Sequence, residues 1–462
     1  MDELCTKTAS QLAALIAAGE TSSTEVVEAH LDRIDEVNGH CNAITIVLAT
    51  EARAAAAAVD TAMAAGEEQG PLAGVPCTVK ENLDLAGTPT TQGLPVFAEL
   101  VAPSDAPVVE RIRAAGAIPI GRTNLPELGL RITTDNPLHG LTRNPWHPDR
   151  TAGGSSGGEG SAIATGMSPL GLGNDIGGSV RNPAFCCGIS SLKPTHGRLP
   201  TFSAFEHNQD PGLASQVMRT EGPMARSVAD LRLAMEVLHG RDPRDARSVT
   251  IPLDGPEFSL RAAVLRTVPN VDCHPSVVAG VDTAAAALAD AGWEVVDATP
   301  PEMELCHDLW GQLLAVDVAN VMEAARAILS PELAALLDTL AEDYSVESTA
   351  PTRIVAEVAR LGREWGLFFV DYPVLIMPTW TRPQPEHGFD LESRDDTPDL
   401  LACITPPNLL GLPSAAVPVG VSDGLPQGVQ CVADCWRDDL ALFAAGDLEA
   451  ALGAITPIDP VA

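Results

Sequence analysis

The sequence predicts an α/β protein, and three observations support that fold class. The chain has 462 residues, of which 45% are hydrophobic and 19% charged, so it can bury a large core. From Pro71 onward, short apolar runs alternate with stretches of helical periodicity, as strands and helices do in α/β folds. The chain contains no internal repeat and no polar linker of disordered composition, so a single domain over residues 1–462 is the simplest organisation.

The first 65 residues are predicted to be helical. Thr8 to Gln11 and Ser22 to Glu25 both fit the capping-box pattern, in which Ser or Thr is followed three residues later by Glu or Gln. The segment from Glu51 to Ala65 is rich in alanine, a strong helix former, and Gly66 directly after it is a typical helix stop.

Strands and helices are then predicted in alternation. Gly74–Val79 and Ala117–Ile120 have the short apolar character of strands, and a helix is expected between them over Pro107–Ala115. A further helix is expected over Ser227–His239.

The second half of the chain repeats this alternation. Two predicted strands, Arg261–Leu265 and Glu294–Val296, flank a predicted helix over Val277–Ala291. Residues 305–370 are expected to be mostly helical. They are followed by a buried strand at Val374–Pro378 and by a segment punctuated by Pro and Gly, Thr405–Gly420.

Charge and composition exclude several classes of protein. The chain has 28 Lys and Arg against 62 Asp and Glu, a net charge of −34 that would repel phosphates, so nucleic acid is not expected as the main partner. No run of 18 apolar residues occurs, so no membrane span is expected. The N-terminus lacks the basic start and apolar core of a signal peptide, and a cytoplasmic location is expected.

The cysteines predict neither disulfides nor a metal site. Ten Cys are scattered along the chain without a C-x-x-C pair, which is typical of reduced thiols in a cytosolic enzyme. The closest grouping in the sequence lacks zinc-ligand spacing; it consists of Cys186, Cys187, Cys431 and Cys435.

Lysine is rare, which draws attention to each one that is present. Only Lys7, Lys80 and Lys193 occur among the 28 basic residues. Because Arg supplies a positive charge but cannot lose its proton, a retained Lys is a candidate base. Lys80 follows a predicted strand, a usual place for catalytic groups in α/β folds. A salt bridge from Lys80 to Glu81 or Asp84 is the structural alternative.

Two Gly-rich segments hold the other candidate residues. Thr151–Gly158 and Gly171–Ser179 are so rich in glycine that close backbone approach or a positive φ is expected in them. Backbone N–H groups at such turns can bind an anion or a developing oxyanion. Two ordinary tight turns would also explain the glycines.

Three other catalytic motifs fit these segments poorly. A P-loop needs Lys after its second Gly, and no Lys occurs from 81 to 192. A nucleophile elbow must follow a strand, whereas the residues from Asn144 to Arg150 resemble a loop. The S-x-x-K pair from Ser190 to Lys193 needs a helix, and Pro194 follows directly.

Taken together, several segments resemble the amidase signature family of serine hydrolases, over most of the chain. The Gly/Ser block is the most specific part, because Ser155 and Ser179 are 24 residues apart, as in that family. The matching segments are Gly74–Pro76 with Lys80–Asn82, Gly121–Asn124, Gly153–Gly158, Gly171–Arg181, Gly188–Pro194, Glu221–Ser227 and Leu409–Pro418.

The resemblance implies a Ser–cis-Ser–Lys triad. In it Ser179 would be the nucleophile that forms an acyl-enzyme, Ser155 a proton relay in a cis peptide, and Lys80 the general base and then acid. The backbone N–H groups of an oxyanion hole would come from Ile176, Gly177, Gly178 and Ser179. Supporting side chains would be those of Ser156, Asp175 and Arg181. No metal or organic cofactor is implied.

The resemblance also implies a fold and a domain layout. A mixed, twisted β-sheet would form the core of a single domain, with helices on both faces. The catalytic core would occupy about 66–240 and 371–462, with 241–370 as a candidate peripheral lobe.

The implied activity is hydrolysis of carboxylic amide C–N bonds. The substrate would be a small-to-medium aryl or acyl amide, with esters and carbamates as further substrates, and the chain would act as a monomer or homodimer. The alternative is an amidotransferase-type subunit that needs a partner chain. That subunit carries an Arg-Tyr-Gly-type segment in the region of Leu309–Ile328, which shows nothing similar here, so a stand-alone amidase is favoured.

Substrate specificity is expected from the segments 125–145, 200–220 and 305–385, because loops around a pocket usually determine it. Apolar and aromatic side chains in or near these segments would suit an aryl or acyl group: Leu130, Phe202, Phe205, Leu309, Trp310, Leu313, Phe368 and Trp380. Most of them are expected to be core residues, with about a third in contact with ligand.

Overall fold

The computed structural model describes residues 1–206, 212–344 and 350–461. Residues 207–211 and 345–349, which belong to two of the predicted specificity segments, lie outside the described residues. The described strands form one sheet of 11 members. They are β1 Ile44–Val47, β2 Pro76–Lys80, β3 Ile118–Thr123, β4 Leu170–Asp175, β5 Ser190–Lys193, β6 Thr220–Ala225, β7 Arg261–Val264, β8 Glu294–Asp297, β9 Val374–Pro378, β10 Ser414–Ser422 and β11 Leu425–Ala433.

The sheet is mixed, in the order β1-β3-β2-β4-β6-β5-β10-β11-β9-β7-β8. The pairs β2–β3, β2–β4, β7–β8 and β7–β9 are parallel, and the remaining neighbours are antiparallel. The strands β7 and β8, from the region 241–370, therefore extend the same sheet as the rest of the chain.

Helices surround the sheet in the described residues. They are α1 Glu3–Thr6, α2 Ala9–Ala18, α3 Ser23–Cys41, α4 Ala49–Ala64, α5 Pro107–Ala114, α6 Gly157–Ala164, α7 Arg181–Cys187, α8 Leu213–Met218, α9 Val228–Leu238, α10 Pro275–Asp290, α11 Met303–Ala325, α12 Pro331–Asp343, α13 Ala350–Asp371, α14 Phe389–Glu392, α15 Thr397–Leu401, α16 Pro406–Leu409 and α17 Asp438–Leu452. Short 3-10 turns lie at Pro95–Phe97, Glu127–Gly129, Ala204–Glu206 and Arg394–Asp396. No described helix is long and apolar enough to span a bilayer.

Strand β9 shows that the sheet has a hydrophobic core on each face. Val374 and Ile376 belong to one buried cluster, which includes side chains of α2, α5, α9, α10 and α17. Leu375 and Met377 belong to a second cluster, with side chains of α7, α8, α11 and α13. Because successive side chains of a strand point to opposite faces, helices cover both faces, and the predicted α/β class is confirmed.

The predicted elements agree with the structure in most places and differ at one strand. Both capping boxes are present, at Thr8 with Gln11 and at Ser22 with Glu25. The first 65 residues are not all helical, because Ile44–Val47 pairs with β3 as an edge strand. The Pro/Gly segment from Thr405 contains α16 and the start of β10, a nine-residue strand that carries Pro418 beside a register irregularity.

A buried carboxylate joins the C-terminal helix to the end of β5. Asp438, at the start of α17, accepts hydrogen bonds from the Thr195 N–H at 2.8 Å and the Thr195 hydroxyl at 2.7 Å. It also pairs with Arg198, whose Nε lies 2.7 Å away, and both charged side chains are almost fully buried. The pair therefore holds α17 against the central strands.

We expect Asp438→Ala to lower the free energy of unfolding by about 3–5 kcal/mol, because it leaves the Arg198 charge buried without its partner. Urea unfolding followed by circular dichroism measures the effect. The matched control is Asp254→Ala, which removes an exposed ion pair with Arg232 and should change stability by about 1 kcal/mol or less. Equal effects of the two substitutions would contradict the role given to Asp438.

Candidate active site

Two parallel strands place the predicted base and the second Gly-rich segment at one edge of the sheet. Strand β2 ends at Lys80 and its parallel neighbour β4 ends at Asp175, with Val79 opposite Leu172. The carboxyl ends of parallel neighbours lie at the same edge, where α/β proteins bind ligands. Lys80 thus lies at the end of its strand, as the sequence predicts.

The Lys80 amine is fully buried and has two polar neighbours. Its Nζ lies 2.6 Å from the Ser155 Oγ and 2.7 Å from the Asn174 Oδ1. Burial lowers the pKa of Lys80 to about 7, although the carboxylates of Glu221 and Asp175 favour the charged form. The amine is therefore poised to gain and lose a proton near neutral pH.

The alternative role for Lys80, a salt bridge to a neighbouring carboxylate, is wrong. The carboxylate of Glu81 instead accepts from the Thr91 hydroxyl and lies 2.9 Å from His139 Nε2. Asp84 accepts from the hydroxyls of Thr90 and Ser203.

Asn174 is a site residue that the sequence analysis missed. Its Nδ2 donates to Asn82 Oδ1 at 3.0 Å, which orients the Asn174 carbonyl oxygen toward the Lys80 amine. An amide oxygen accepts a hydrogen bond from either the neutral or the charged amine without adding a negative charge. Asn174 therefore positions Nζ with a smaller effect on its pKa than a carboxylate would have.

Arg122 fixes the backbone that carries Lys80. The guanidinium Nη2 donates to the carbonyl oxygens of Lys80, Glu81 and Leu83, at 3.3, 2.8 and 2.6 Å. Arg122 lies in β3 and is fully buried, and burial lowers its pKa to about 10. It belongs to the matching segment Gly121–Asn124, but only the structure reveals these contacts.

The first Gly/Ser segment is held by a backbone contact to Ser179 and by the side chain of Asn182. The Gly154–Ser155 peptide bond is cis, as the resemblance implies. Asn182 in α7 binds both sides of Gly154, accepting from its N–H at 2.9 Å and donating to its carbonyl at 2.6 Å. The Ser156 N–H donates to the Ser179 carbonyl at 3.1 Å, while the buried Ser156 hydroxyl has no partner among the described residues.

The glycines of the first segment permit this close packing. At Gly158, a Cβ would lie 2.4 Å from the backbone nitrogen of Asn124, so any side chain would push β3 away from α6. The expectation of close backbone approach is confirmed at this position.

A buried ion pair organises the second segment. Arg181 contacts both carboxylate oxygens of Asp175, with Nε 3.1 Å from Oδ2 and Nη2 3.0 Å from Oδ1. Although burial raises the pKa of Asp175, the Arg181 guanidinium holds it well below its usual range. Asp175 also accepts from the N–H groups of Gly178 and Val180, at 2.7 and 3.2 Å, which fixes the loop around Ser179.

One of the four N–H groups predicted to form an oxyanion hole has a partner in the structure, and three have none among the described residues. The N–H of Gly178 already donates to Asp175, and Gly178 has a φ of +102°, in the region that favours glycine. The N–H groups of Ile176, Gly177 and Ser179 donate to no group in the described part of the chain. The Trp310 Nε1 donates to the Ile176 carbonyl at 2.7 Å and so orients this loop.

A cavity opens beside Ser179. It lies between the loop from Ile176 to Ser179, the helices α11 and α12, and the segment around Asp390. Leu130 and Trp310 line it, whereas the other six residues predicted for the pocket do not: Phe202, Phe205, Leu309, Leu313, Phe368 and Trp380. Trp380, for example, is fully buried in the core. The apolar wall also includes Ile132, Leu314, Leu336, Leu337, Leu340 and Leu401.

The described residues show no alternative centre of the kinds considered from the sequence. Ser190–Lys193 is strand β5 and not the helix that an S-x-x-K pair requires. No cluster of His, Cys, Asp and Glu in residues 1–206, 212–344 and 350–461 is arranged to hold a metal ion. All ten cysteines are free thiols, and most are buried.

Known proteins with similar sequences are amide-processing enzymes. The chain matches the family model described as Amidase over residues 25–442. It is 42% identical to the indoleacetamide hydrolase of Bradyrhizobium diazoefficiens, over 96% of this chain and 86% of that protein. It is 33% identical to one of the subunits of the glutamyl-tRNA(Gln) amidotransferase of Salinispora tropica, over 99% of both chains.

Solved structures with the same fold agree with this assignment. The 6-aminohexanoate cyclic dimer hydrolase has a TM-score of 0.84 and 32% identity, with 98% of each chain covered. A bacterial aryl acylamidase of the amidase signature family has a TM-score of 0.82 and 28% identity, with 96% of each chain covered. From the family match over most of its length and from these relatives, the chain belongs to the amidase signature family and is a hydrolase of amide C–N bonds.

Proposed function

We propose that this amidase works through an acyl-enzyme on Ser179, with Ser155 as proton relay and Lys80 as base. The observation that carries the proposal is the 2.6 Å contact between the Lys80 Nζ and the Ser155 Oγ, with the amine buried and its pKa lowered to about 7. A hydroxyl is a weak nucleophile at neutral pH and needs an adjacent base that can take its proton. A neutral amine held against a serine hydroxyl is such a base.

The proton would move from Ser179 through Ser155 to Lys80. The Asn174 Oδ1 accepts one Nζ–H bond, which leaves the lone pair of the neutral amine for the Ser155 hydroxyl. As Ser155 gives its proton to Lys80 it accepts the proton of Ser179, whose Oγ bonds to the substrate carbonyl carbon. When the C–N bond breaks, the proton returns by the same route to the leaving nitrogen. Water then hydrolyses the ester and restores Ser179.

The loop that follows β4 would stabilise the oxyanion of this reaction. Three N–H groups, those of Ile176, Gly177 and Ser179, are left to donate to it. Donors that are already oriented need no reorganisation as charge develops, and each is worth about 3–4 kcal/mol in comparable enzymes. Asp175 and Trp310 supply this orientation by binding the loop from both sides.

We propose a small-to-medium aryl or acyl amide as the substrate. The cavity beside Ser179 has an apolar wall formed mainly by leucines of α11 and α12, with Trp310 near the reacting serine. An aryl group would bury its apolar surface there. The similarity to an indoleacetamide hydrolase and to an aryl acylamidase supports an aryl amide as the substrate. Esters and carbamates are further substrates, because a Lys-based acid can also protonate an alcohol leaving group.

The amidotransferase-type alternative has less support. The similar amidotransferase chain is 33% identical, below the 42% of the indoleacetamide hydrolase. An amidase needs no partner chain, so activity of the isolated protein separates the two functions. The free thiols agree with a reducing compartment, and we propose a cytoplasmic location on that ground.

We expect Ser179→Ala to abolish hydrolysis of aryl amides by the isolated chain and to prevent acylation by a fluorophosphonate. Intact-protein mass spectrometry measures the adduct, and amine release measures turnover. The control is Ser190→Ala, which removes a buried hydroxyl of the rejected S-x-x-K pair and should still form one adduct. An adduct on folded Ser179→Ala would show that another residue is the nucleophile. A folded wild-type chain that hydrolyses no amide without a partner would favour the amidotransferase alternative.

Replacing the base by a permanent cation should be almost as damaging as removing it. We expect Lys80→Arg to lower kcat/KM by at least about 100-fold, because a guanidinium keeps its charge but cannot accept the serine proton. Lys7→Arg is the control, since Lys7 makes only a surface ion pair with Glu3. Steady-state kinetics at pH 7 test both variants. Substantial activity in Lys80→Arg would remove Lys80 from the proton route.

The pH profile should respond to the charge beside Lys80. The base must be neutral, so kcat/KM should rise with pH through about 7 in the wild type. In Asn174→Asp a carboxylate beside the amine favours the ammonium form, so the midpoint should move upward by about one to three pH units.

Asn174→Ala is the matched comparison, because it removes an acceptor without adding charge. Its midpoint should move downward or stay in place, and pH–rate profiles from pH 5 to 10 separate the two variants. Identical pH–rate profiles for the two variants would show that the rise of kcat/KM with pH comes from a group other than Lys80.

A further inference from the structure

One residue of the cavity wall has a polar atom without a partner among the described residues. His307, in α11, lines the cavity beside Ser179 and is only 8% exposed. Its Nδ1 lies 2.8 Å from the Thr405 hydroxyl, but its buried Nε2 has no hydrogen-bond partner among the described residues. A buried polar atom left unpaired costs about 1–3 kcal/mol, so such atoms are uncommon and call for an explanation.

The surroundings determine which kind of partner the atom needs. Burial lowers the pKa of His307 to about 4, so the imidazole is neutral at pH 7 and carries one N–H. The Thr405 hydroxyl also lies 3.4 Å from the Leu401 carbonyl, which can only accept. When the hydroxyl donates to this carbonyl, it accepts from Nδ1–H, and in that tautomer Nε2 is an acceptor.

Three charged side chains of the cavity wall are already paired: Arg131, Asp390 and Arg394. Arg131 makes two 3.0 Å hydrogen bonds to the carboxylate of Asp390, and both side chains are buried. Arg394 donates to the Thr339 hydroxyl at 2.8 Å. His307 differs from them because its second nitrogen remains unpaired within an apolar wall.

His307 lies beside Trp310, which lines the cavity where the aryl group is proposed to bind. Its ring stacks on that of Trp310, with centroids 6.0 Å apart and planes at 16°, and Trp310 donates to the Ile176 carbonyl next to the reacting loop. Trp310 thus connects the imidazole of His307 with the loop that carries Ser179.

We propose that Nε2 of His307 accepts a hydrogen bond from an N–H or O–H donor on the aryl end of the substrate. The preferred substrates are then heteroaryl or hydroxyaryl amides that carry such a donor, and aryl amides of the same shape without it are turned over less well. This inference rests on the proposed amidase function, and it makes His307 a specificity-determining residue.

The unpaired Nε2 should make the protein distinguish substrates that carry a hydrogen-bond donor from those that lack one. A substrate with a donor satisfies Nε2, whereas an analogue without one leaves it buried and unpaired in both the complex and the transition state. A site built to pair with a substrate group rejects the analogue that lacks it more strongly than an apolar pocket would. One hydrogen bond of this kind corresponds to a preference of about 5- to 100-fold in kcat/KM.

The test compares two substrates that differ at one atom. Indole-3-acetamide carries a ring N–H, and benzofuran-3-acetamide has the same shape with an oxygen in its place. We expect the wild-type protein to have a kcat/KM about 5- to 100-fold higher for the indole compound. An equal or lower kcat/KM for the indole compound in the wild type would overturn the inference.

Variants assign the preference to His307. His307→Phe keeps a ring against Trp310 but removes the acceptor, so the ratio of the two kcat/KM values should fall to about 1. His307→Gln can place an amide oxygen near the position of Nε2 and should restore part of the ratio. Leu314→Ala, on the same helix and in the same cavity, is the control and should retain the wild-type ratio.

The outcomes separate this inference from the proposed function. Hydrolysis of both amides without a preference, or a preference that persists in folded His307→Phe, overturns the role of His307 and leaves the amidase intact. If the wild type hydrolyses neither amide and Ser179 forms no fluorophosphonate adduct, the proposed function and this inference both fail. If Ser179 is labelled but neither aryl amide is hydrolysed, the substrate class and this inference are both wrong, and the acyl-enzyme chemistry stands.

Discussion

The ion pair between Asp175 and Arg181 is the interaction on which the rest of the site depends. Arg181 also donates to the Ile404 carbonyl, to Asn408 in α16 and to Gln430 in β11. One fully buried guanidinium therefore connects the end of β4 with α16 and the central antiparallel strands. An isolated buried charge is strongly unfavourable, so losing either partner would destabilise the loop that presents Ser179.

The pKa of the Lys80 amine depends on a balance between burial and nearby charge. Burial can lower the pKa of an amine by about 3–5 units, whereas nearby carboxylates raise it. Glu159, behind the amine, is bonded to the hydroxyls of Thr78 and Thr123, and burial raises its own pKa to about 7. A carboxyl group with this pKa is only partly ionised at pH 7, so it adds less than a full negative charge beside the amine. Burial therefore prevails, and the amine can be neutral near pH 7.

Much of the site could be predicted because its residues belong to short glycine-rich segments or, like Lys80, to a residue type that is rare in this chain. The scarcity of lysine singled out Lys80, and the glycine content of two segments indicated close approach and oriented N–H groups. Asn174, Asn182 and Trp310 could not be found in this way. Their roles come from contacts across the fold, and an isolated Asn or Trp has no pattern that separates a structural role from a functional one.

Contacts across the fold also account for the unpredicted strand at the sheet edge and for the wrongly predicted pocket residues. The strand Ile44–Val47 is only four residues long and lies at the sheet edge, where pairing with β3 outweighs local preference. Aromatic content predicted the pocket poorly, because most large apolar side chains are needed for the two cores. The leucines of α12 that line the cavity are indistinguishable in sequence from those that pack inside.

The division of the chain between chemistry and recognition has an evolutionary consequence. The proposed reacting groups lie between residues 80 and 181, whereas most of the cavity wall comes from α11, α12 and residues 390–401. Contacts between these parts include those from Trp310 to Ile176 and from Arg131 to Asp390. Mutations in the wall can therefore alter which amide is accepted without changing how it is cleaved. Such an arrangement lets duplicated copies of one ancestral hydrolase acquire new substrates through a few substitutions, each tolerated by the unchanged catalytic half.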